Sequence, residues 1–211
     1  SLGNGTGLAS NYTLAGGRHT ATITPDPGNF RWVAGSGGHW DVAANWNQGV
    51  IPVRGATVTI PDLGAPGVSD TITYRIGTTH IKSIASAEQL AVSGGTLNLG
   101  AAAADVSSIP EVRVAGGTLG GSGTLSTRTT ELLAGGVLTG SRTVVGNVNN
   151  NGGTLAPGAS AGILTIDGNY TQGAGGTIAI EIGGPTPGAQ HDQLVVTGNA
   201  TLAGSLEVTM I

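Results

Sequence analysis

The sequence VAGGTLGGSGTL at residues 114–125 recurs as LAGGVLTGSRTV at residues 133–144, with seven identities in twelve positions. Both copies place a glycine pair before a β-branched residue and a leucine. Self-similarity at a period of about 20 residues is typical of repeat proteins in which each period forms one structural unit. The two stretches therefore predict neighbouring turns of one solenoid.

The short motif Gly-Gly-Thr/Val-Leu/Ile extends this repeat along the second half of the chain. The intervals between its copies are unequal, which indicates a solenoid with loops of varying length. Glycines suit the corners, where φ is positive, and alternating aliphatic residues point inward and stack on the next turn about 4.8 Å away. We therefore predict an all-β solenoid with two or three short strands in each of six or seven turns. The copies begin at Gly94, Gly116, Gly135, Gly152 and Gly175, and a weaker copy begins at Ala203.

The composition excludes several classes of protein. Charged residues make up 9% of the chain, against about 25% in an ordinary domain. The eight Lys and Arg residues are scattered and the formal net charge is −4, which argues against nucleic-acid binding. The absence of cysteine excludes disulfides and thiolate metal sites. No apolar run reaches the roughly 18 residues of a membrane-spanning helix, so we expect no direct membrane span.

Elsewhere, short runs alternate between apolar and polar residues, which indicates strands. Residues 83–90 and 101–105 have compositions that could each hold a single helical turn. The chain opens without a signal peptide and ends on an alternating run with no turn after it. We therefore expect a mature or excised fragment of a protein that continues beyond Ile211. The strands predicted outside the repeat are residues 19–24, 56–60, 71–76 and 206–211.

All three tryptophans fall within one segment, which contains in order Trp32, Trp40, Asn45-Trp46, Gly49-Val50-Ile51-Pro52 and the run Thr57–Ile60. This order resembles the opening of solenoid regions in large bacterial surface and secreted proteins. Ala56 stands where those copies often carry an acidic residue, so no role of that acid is carried over. We interpret the tryptophans as a cap over the first turn, whose apolar interior and strand edges would otherwise be exposed. The alternative is a platform of exposed indole rings that stack on sugars.

A second segment carries a longer resemblance. It reads PGASAGILTIDGNYTQ at residues 157–172 and continues to HDQLVVTG at residues 191–198. This order is similar to the C-terminal passenger stretch of autotransporter-type adhesins and of related repeat-rich surface proteins. Together the two resemblances cover roughly residues 30–62 and 90–211, and they imply a right-handed parallel β-helix displayed outside the cell. We therefore divide the chain into a strand segment with the Trp-rich cap at residues 1–62 and β-solenoid coils at residues 63–211.

One pair of carboxylates is the best candidate for catalysis. Many β-helices degrade polysaccharides, and glycoside hydrolysis needs two carboxyl groups that flank the bond to be cleaved. Glu111 and Glu131 are separated by one period of the repeat and could lie side by side on neighbouring turns, with Arg113 nearby. The simpler interpretation is a solvated face with an ion contact between turns.

The remaining candidates are weaker. His191-Asp192 could be half of an acid–base pair, but Asp192 more simply bonds local backbone N–H groups in an Asx turn. The other histidines lie far apart and show no metal-binding spacing. Short Thr-x-Thr runs raise the alternative of ice binding, which needs a regular threonine array on successive turns. The sequence therefore predicts no catalytic, cofactor-binding or metal-binding residues.

These observations favour a non-catalytic structural or adhesive β-helix of a bacterial surface or extracellular-matrix protein. It would act as a stalk, an adhesin module or a self-assembling filament subunit, and it would be secreted or displayed on the cell surface. The expected partners are copies of the chain itself, through open solenoid ends, and surface glycans. The alternative function is a polysaccharide-degrading β-helix enzyme or a tailspike-like depolymerase.

Overall fold

The structure of this chain is a computed structural model that describes residues 28–64 and 69–211. The strand predicted at residues 19–24 lies outside the described residues. Within them the protein is nearly all β, with 21 strands and one short 3-10 turn at Ala43–Asn45. The all-β prediction is confirmed to this extent.

The strands are short and follow one another closely. In chain order they are β1 (Asn29–Arg31), β2 (Gly38–His39), β3 (Thr57–Ile60), β4 (Thr71–Tyr74), β5 (Thr78–Ile81), β6 (Ser83–Ser86), β7 (Gln89–Val92), β8 (Thr96–Leu99), β9 (Val106–Ser108), β10 (Glu111–Val114), β11 (Thr118–Gly121), β12 (Gly123–Leu132), β13 (Val137–Thr139), β14 (Arg142–Asn150), β15 (Thr154–Ala156), β16 (Ile163–Asp167), β17 (Tyr170–Gln172), β18 (Thr177–Ile182), β19 (Gln193–Val196), β20 (Ala200–Thr201) and β21 (Ser205–Met210).

The pairing between these strands is parallel and sorts them into three series. The first series contains β1, β3, β6, β9, β16, β19 and the first parts of β12 and β14. The second contains β2, β4, β7, β10, β17, β20 and the second parts of β12 and β14. The third contains β5, β8, β11, β13, β15, β18 and β21.

From β3 onward the chain visits the first, second and third series in the same order seven times, after an opening pass through β1 and β2. We call each pass a rung. The long strands β12 and β14 cover two series each, with a shift of register between Ser126 and Thr129 where the sheet bends. The first two series therefore form one 14-stranded sheet, and the third forms a separate 7-stranded sheet.

Aliphatic side chains at matching positions form the core. In the third series Leu97, Leu119, Leu138, Leu155 and Ile178 follow one another in register, and all five are buried. Burial of one such side chain stabilises the fold by about 1.5–3 kcal/mol relative to its exposure. Because consecutive rungs from β8 to β18 each contribute an aliphatic side chain to this column, the hydrophobic contacts run continuously along it.

Each glycine pair of the repeat lies immediately before a strand of the third series. The strands after Gly94, Gly116 and Gly135 begin two residues later, at Thr96, Thr118 and Val137. Gly140 shows why glycine is needed at a corner. Its φ is +107°, and a Cβ there would collide with the carbonyl oxygen of Gly121 on the preceding rung.

The two segments that could hold a helical turn do not form helices. Residues 83–90 form β6 and the start of β7, and residues 101–105 form a loop with a turn. Ile84 and Leu90 are fully buried in the first and second series, respectively. Burial of these two side chains against neighbouring strands outweighs the helix propensity of the alanines and the glutamate between them.

Candidate functional site

The tryptophans lie inside the first rungs rather than on the surface. Trp32, Trp40 and Trp46 are 1%, 1% and 2% exposed. Trp46 packs edge-to-face on both other indoles, with ring centroids 5.0 Å from Trp32 and 4.7 Å from Trp40. The indole Nε1 of Trp46 donates a hydrogen bond of 2.8 Å to the Trp40 carbonyl oxygen. Because stacking on a sugar needs an exposed ring face, these side chains do not form a sugar platform.

An ion pair connects this aromatic cluster to the next rung. Arg75 Nε lies 2.9 Å from Asp41 Oδ1, and Arg75 Nη2 lies 3.0 Å from Asp41 Oδ2. The hydrogen bond from Arg75 holds the pKa of the Asp41 carboxyl below its ordinary value. Trp40 also packs on Tyr74, the residue before this arginine, at a centroid distance of 5.9 Å. Burial raises the pKa of the Tyr74 hydroxyl.

Glu111, Arg113 and Glu131 lie on the outer side of the second series, as their spacing predicts. Arg113 pairs in register with Glu131, whereas Glu111 pairs with Thr129, so the two carboxylates are offset along adjacent strands. Among the described residues, Arg113 makes no ion pair with either carboxylate. The predicted ion contact between turns is therefore wrong.

Amide side chains donate hydrogen bonds to both carboxylates instead. Gln89 Nε2 donates to Glu111 Oε2 at 3.3 Å. Asn149 Nδ2 donates to one oxygen of Glu131 at 2.7 Å, and Asn151 Nδ2 donates to the other at 3.2 Å. This arrangement ties neighbouring rungs together through their outer side chains.

The His191-Asp192 pair holds a loop in place. Asp192 is 6% exposed, and its two oxygens accept hydrogen bonds of 2.8 Å from the backbone N–H groups of Gly162 and Glu181. His191 Nδ1 lies 2.9 Å from the Gly184 carbonyl oxygen. Asp192 therefore bonds backbone N–H groups, as predicted, but these belong to distant parts of the chain rather than to a local Asx turn.

The other predicted candidates remain apart. His39 lies on β2 and His80 on β5, and His19 lies outside the described residues. In residues 28–64 and 69–211 no group of three metal-ligating side chains is close enough to hold an ion. The same residues contain no helix long and apolar enough to cross a membrane.

A threonine column that the sequence analysis missed follows the outer side of the third series. It contains, in register, Thr78, Thr96, Thr118, Val137, Thr154, Thr177 and Ser205. The next column on this side of the strands is irregular, because it contains His80, Asn98, Gly120, Thr139 and Ala156. A single column beside an irregular one is not the regular threonine array that ice binding needs.

A cleft that no sequence motif indicates opens at the corner between β5 and β6. Its volume is about 420 Å³. The loop at residues 100–105 forms one wall, and Asp105 stabilises this loop by accepting hydrogen bonds from the Ala101 and Ala102 N–H groups at 2.9 and 3.0 Å. These bonds lower the pKa of the Asp105 carboxyl. The side chains that face the cleft include Arg54, His80, Lys82 and Asn98.

Arg142 lies buried beside this cleft. It occupies an inward position of the first series, between Gly123 and Leu164 in register, and is 5% exposed. Its Nη2 donates to the carbonyl oxygens of Leu99, at 3.0 Å, and Gly120. Its Nε and Nη1 atoms have no hydrogen-bond partner. Burial lowers the pKa of Arg142 to about 10.

The last rung exposes side chains at positions that are buried in earlier rungs. Leu206 continues the third-series core column but is 65% exposed, and Val208 is 53% exposed. Met210 and Leu202 are also largely exposed. The described chain therefore presents an apolar end surface, formed by β19, β20 and β21.

Comparisons with known proteins find one local similarity that bears on function. Over 65 residues, which are 29% of this chain and 2% of the relative, the sequence is 43% identical to the adhesin BmaC autotransporter of Brucella suis biovar 1 (strain 1330). The chain thus spans only a small part of that relative's length. No protein-family model matches the chain, and no solved structure matches it. The match is compatible with the resemblance to bacterial surface proteins.

Proposed function

We propose that this chain is a segment of a bacterial surface or secreted protein, that it forms a right-handed parallel β-helix, and that it acts without catalysis as a stalk or adhesive module. The observation that carries the proposal is the continuous parallel stacking of rungs with one aliphatic core. Repeat stacks of this kind make extended, stable surfaces from short units. The local similarity to an autotransporter adhesin supports the same role.

Adhesion is tested directly by attaching the purified chain to beads and counting the beads retained by cultured animal cells under flow. We expect more retention than with beads that carry the heat-unfolded chain. Retention equal to that of the unfolded control would contradict an adhesive role. An experimental structure tests the fold, and a left-handed winding of the rungs would contradict it.

The proposal excludes hydrolysis or elimination of polysaccharides. In this proposal the amide hydrogen bonds to Glu111 and Glu131 have a structural role, because they link the side chains of neighbouring rungs. We expect no turnover of a panel of acidic polysaccharides by the parent chain. If turnover is found and is lost in both Glu111→Gln and Glu131→Gln, the enzyme alternative replaces the proposal.

Self-assembly of the separate chain through its solenoid ends is a second candidate role. A second copy that stacks on β19, β20 and β21 would cover Leu206 and Met210, and a head-to-tail contact that does not close propagates into a filament. Sedimentation velocity over a range of concentrations tests this. We expect larger species that disappear in the double variant Leu206→Ser/Met210→Ser and persist in Ile76→Ser, which changes an exposed apolar residue away from this end. A monomer at all concentrations would contradict self-assembly.

A further inference from the structure

The corner cleft is formed by successive rungs rather than by one loop. Arg54 lies before β3, Lys82 before β6, Ala101 before β9 and Gly121 before β12, so four consecutive rungs contribute. At about 4.8 Å between rungs, the cleft extends about 14 Å along the stack. This length accommodates an extended chain-like ligand rather than only a small ion.

Positive charge is concentrated here in a protein whose formal net charge is −4. The exposed side chains of Arg54 and Lys82 face the cleft. The buried Arg142 adds a third cation behind its wall, because Nη2 lies 2.8 Å from the place where a Cβ on Gly121 would be. Asp105 is the acidic residue that lines the cleft. Its carboxylate accepts two backbone hydrogen bonds from its own loop and interacts electrostatically with Lys82, so the two exposed cations of the lining exceed its carboxylate by a single charge.

The remaining lining suits a sugar ring. Ala101 presents a methyl group, and the Asn98 side-chain amide lies 3.5 Å from His80 Nε2, so polar groups and an apolar surface stand together. A volume of 420 Å³ is within the range of about 300–1,000 Å³ for small-ligand sites. A guanidinium binds a carboxylate through two parallel hydrogen bonds, and an ammonium adds a point charge.

We propose that this cleft binds the carboxylate of an acidic sugar unit within a glycan chain, with Arg54 and Lys82 as the anion-binding residues. The role of this binding in attachment rests on the proposed adhesive function, whereas the binding itself does not. Arg142 acts from behind the cleft by raising its positive potential, since a buried charge is weakly screened by salt.

The test uses titration calorimetry of the whole chain with tri-galacturonate. We expect the dissociation constant to rise at least tenfold in Arg54→Gln/Lys82→Gln. The matched control is Arg113→Gln/Arg128→Gln, which removes the same charge from exposed cations outside the cleft and is expected to change the dissociation constant less than twofold. The fully methyl-esterified trisaccharide, which lacks the charge, is not expected to bind. Circular dichroism verifies that both double variants are folded.

Several outcomes would overturn the inference. These are no binding of tri-galacturonate at millimolar concentration, equal weakening in both double variants, or tighter binding of a sulfated disaccharide or of hexa-glutamate than of the carboxylated sugar. The bead assay distinguishes the two proposals. If the parent chain adheres to cells but binds no tri-galacturonate, the inference about the cleft fails and the adhesive function stands. If the chain binds tri-galacturonate but does not adhere to cells, the adhesive function fails and the inference about the cleft stands.

Discussion

Replacement of the buried Arg142 by methionine should stabilise the protein. The pKa of this guanidinium falls from its ordinary value to about 10 because burial disfavours the cation. At 1.36 kcal/mol per pKa unit, this corresponds to a cost of about 3 kcal/mol at neutral pH. The hydrogen bonds to the Leu99 and Gly120 carbonyl oxygens offset part of this cost. Since the register neighbour Leu164 is aliphatic and buried, methionine suits the position, and we expect a net gain of about 1–2 kcal/mol.

The measurement is urea unfolding at pH 7, followed by the fluorescence of the buried tryptophans. For a denaturant slope of about 2 kcal/mol per molar, the midpoint should rise by about 0.5–1 M in Arg142→Met. Arg128→Met is the control, because Arg128 is exposed, and its effect should stay within about 0.5 kcal/mol.

The pH dependence of the stability gain in Arg142→Met tests whether the gain comes from removing a buried cation. The folded pKa is lower than the unfolded pKa, so the unfolded chain binds more protons as the pH rises above about 10. The cost of the buried cation is therefore fully present at neutral pH and is relieved as the pH rises into this range, and the advantage of Arg142→Met should shrink there. A variant less stable than the parent at pH 7 by more than about 1 kcal/mol would refute the reasoning, because the carbonyl contacts would then outweigh desolvation.

Three further predictions concern single substitutions, and each is measured by urea unfolding. Leu119→Ala should lower the free energy of unfolding by about 2–5 kcal/mol, whereas Leu206→Ala, in the same column but 65% exposed, should cost less than about 1 kcal/mol; equal losses would contradict a continuous core. Asp192→Ala leaves two buried N–H groups without an acceptor and should cost about 2–5 kcal/mol, and a neutral result would show that water replaces the carboxylate. Gly140→Ala should destabilise the protein by more than about 2 kcal/mol, because a Cβ at this position collides with backbone atoms. Gly49→Ala should cost only about 1 kcal/mol, because Gly49 has a φ of +66° but open space around it. Similar losses at both positions would mean that the backbone φ alone determines the cost.

The repeat predicted the register between two neighbouring rungs. The alignment of residues 114–125 with 133–144 pairs Leu119 with Leu138 and Leu125 with Val144, and both pairs are in register in the structure. This agreement has a physical basis, because glycine pairs mark corners and alternation marks the buried side of a strand. The parallel all-β character could therefore be predicted from the sequence.

The same alignment also indicates the burial of Arg142. It places Arg142 opposite Gly123, at a position that points inward, and the structure pairs these two residues. A cation in an inward column must either be buried or distort the rung. Its burial could therefore have been predicted from the repeat alone.

The corner cleft could not have been predicted in this way. Arg54, Lys82 and Asp105 lie far apart in the sequence and belong to no common motif. They come together only because the corners of successive rungs stack, and the irregular spacing of the repeat hides which corners are aligned. For the Trp-rich segment, the sequence allowed either exposed or buried indole rings. In the structure Trp46 packs on Phe30 and Trp40 packs on Tyr74, and this packing accounts for the burial.

Arg142 also has a mechanical consequence. Its guanidinium reaches back from the start of β14 to carbonyl oxygens of β11 and β8, and so fastens three passes of the chain to one another. A pulling force along the stack loads the hydrogen bonds between one pair of rungs at a time. At this corner, however, the force must break a cross-link before the next rung can peel away. A stalk under tension would thus unravel from its ends and pause where this arginine lies.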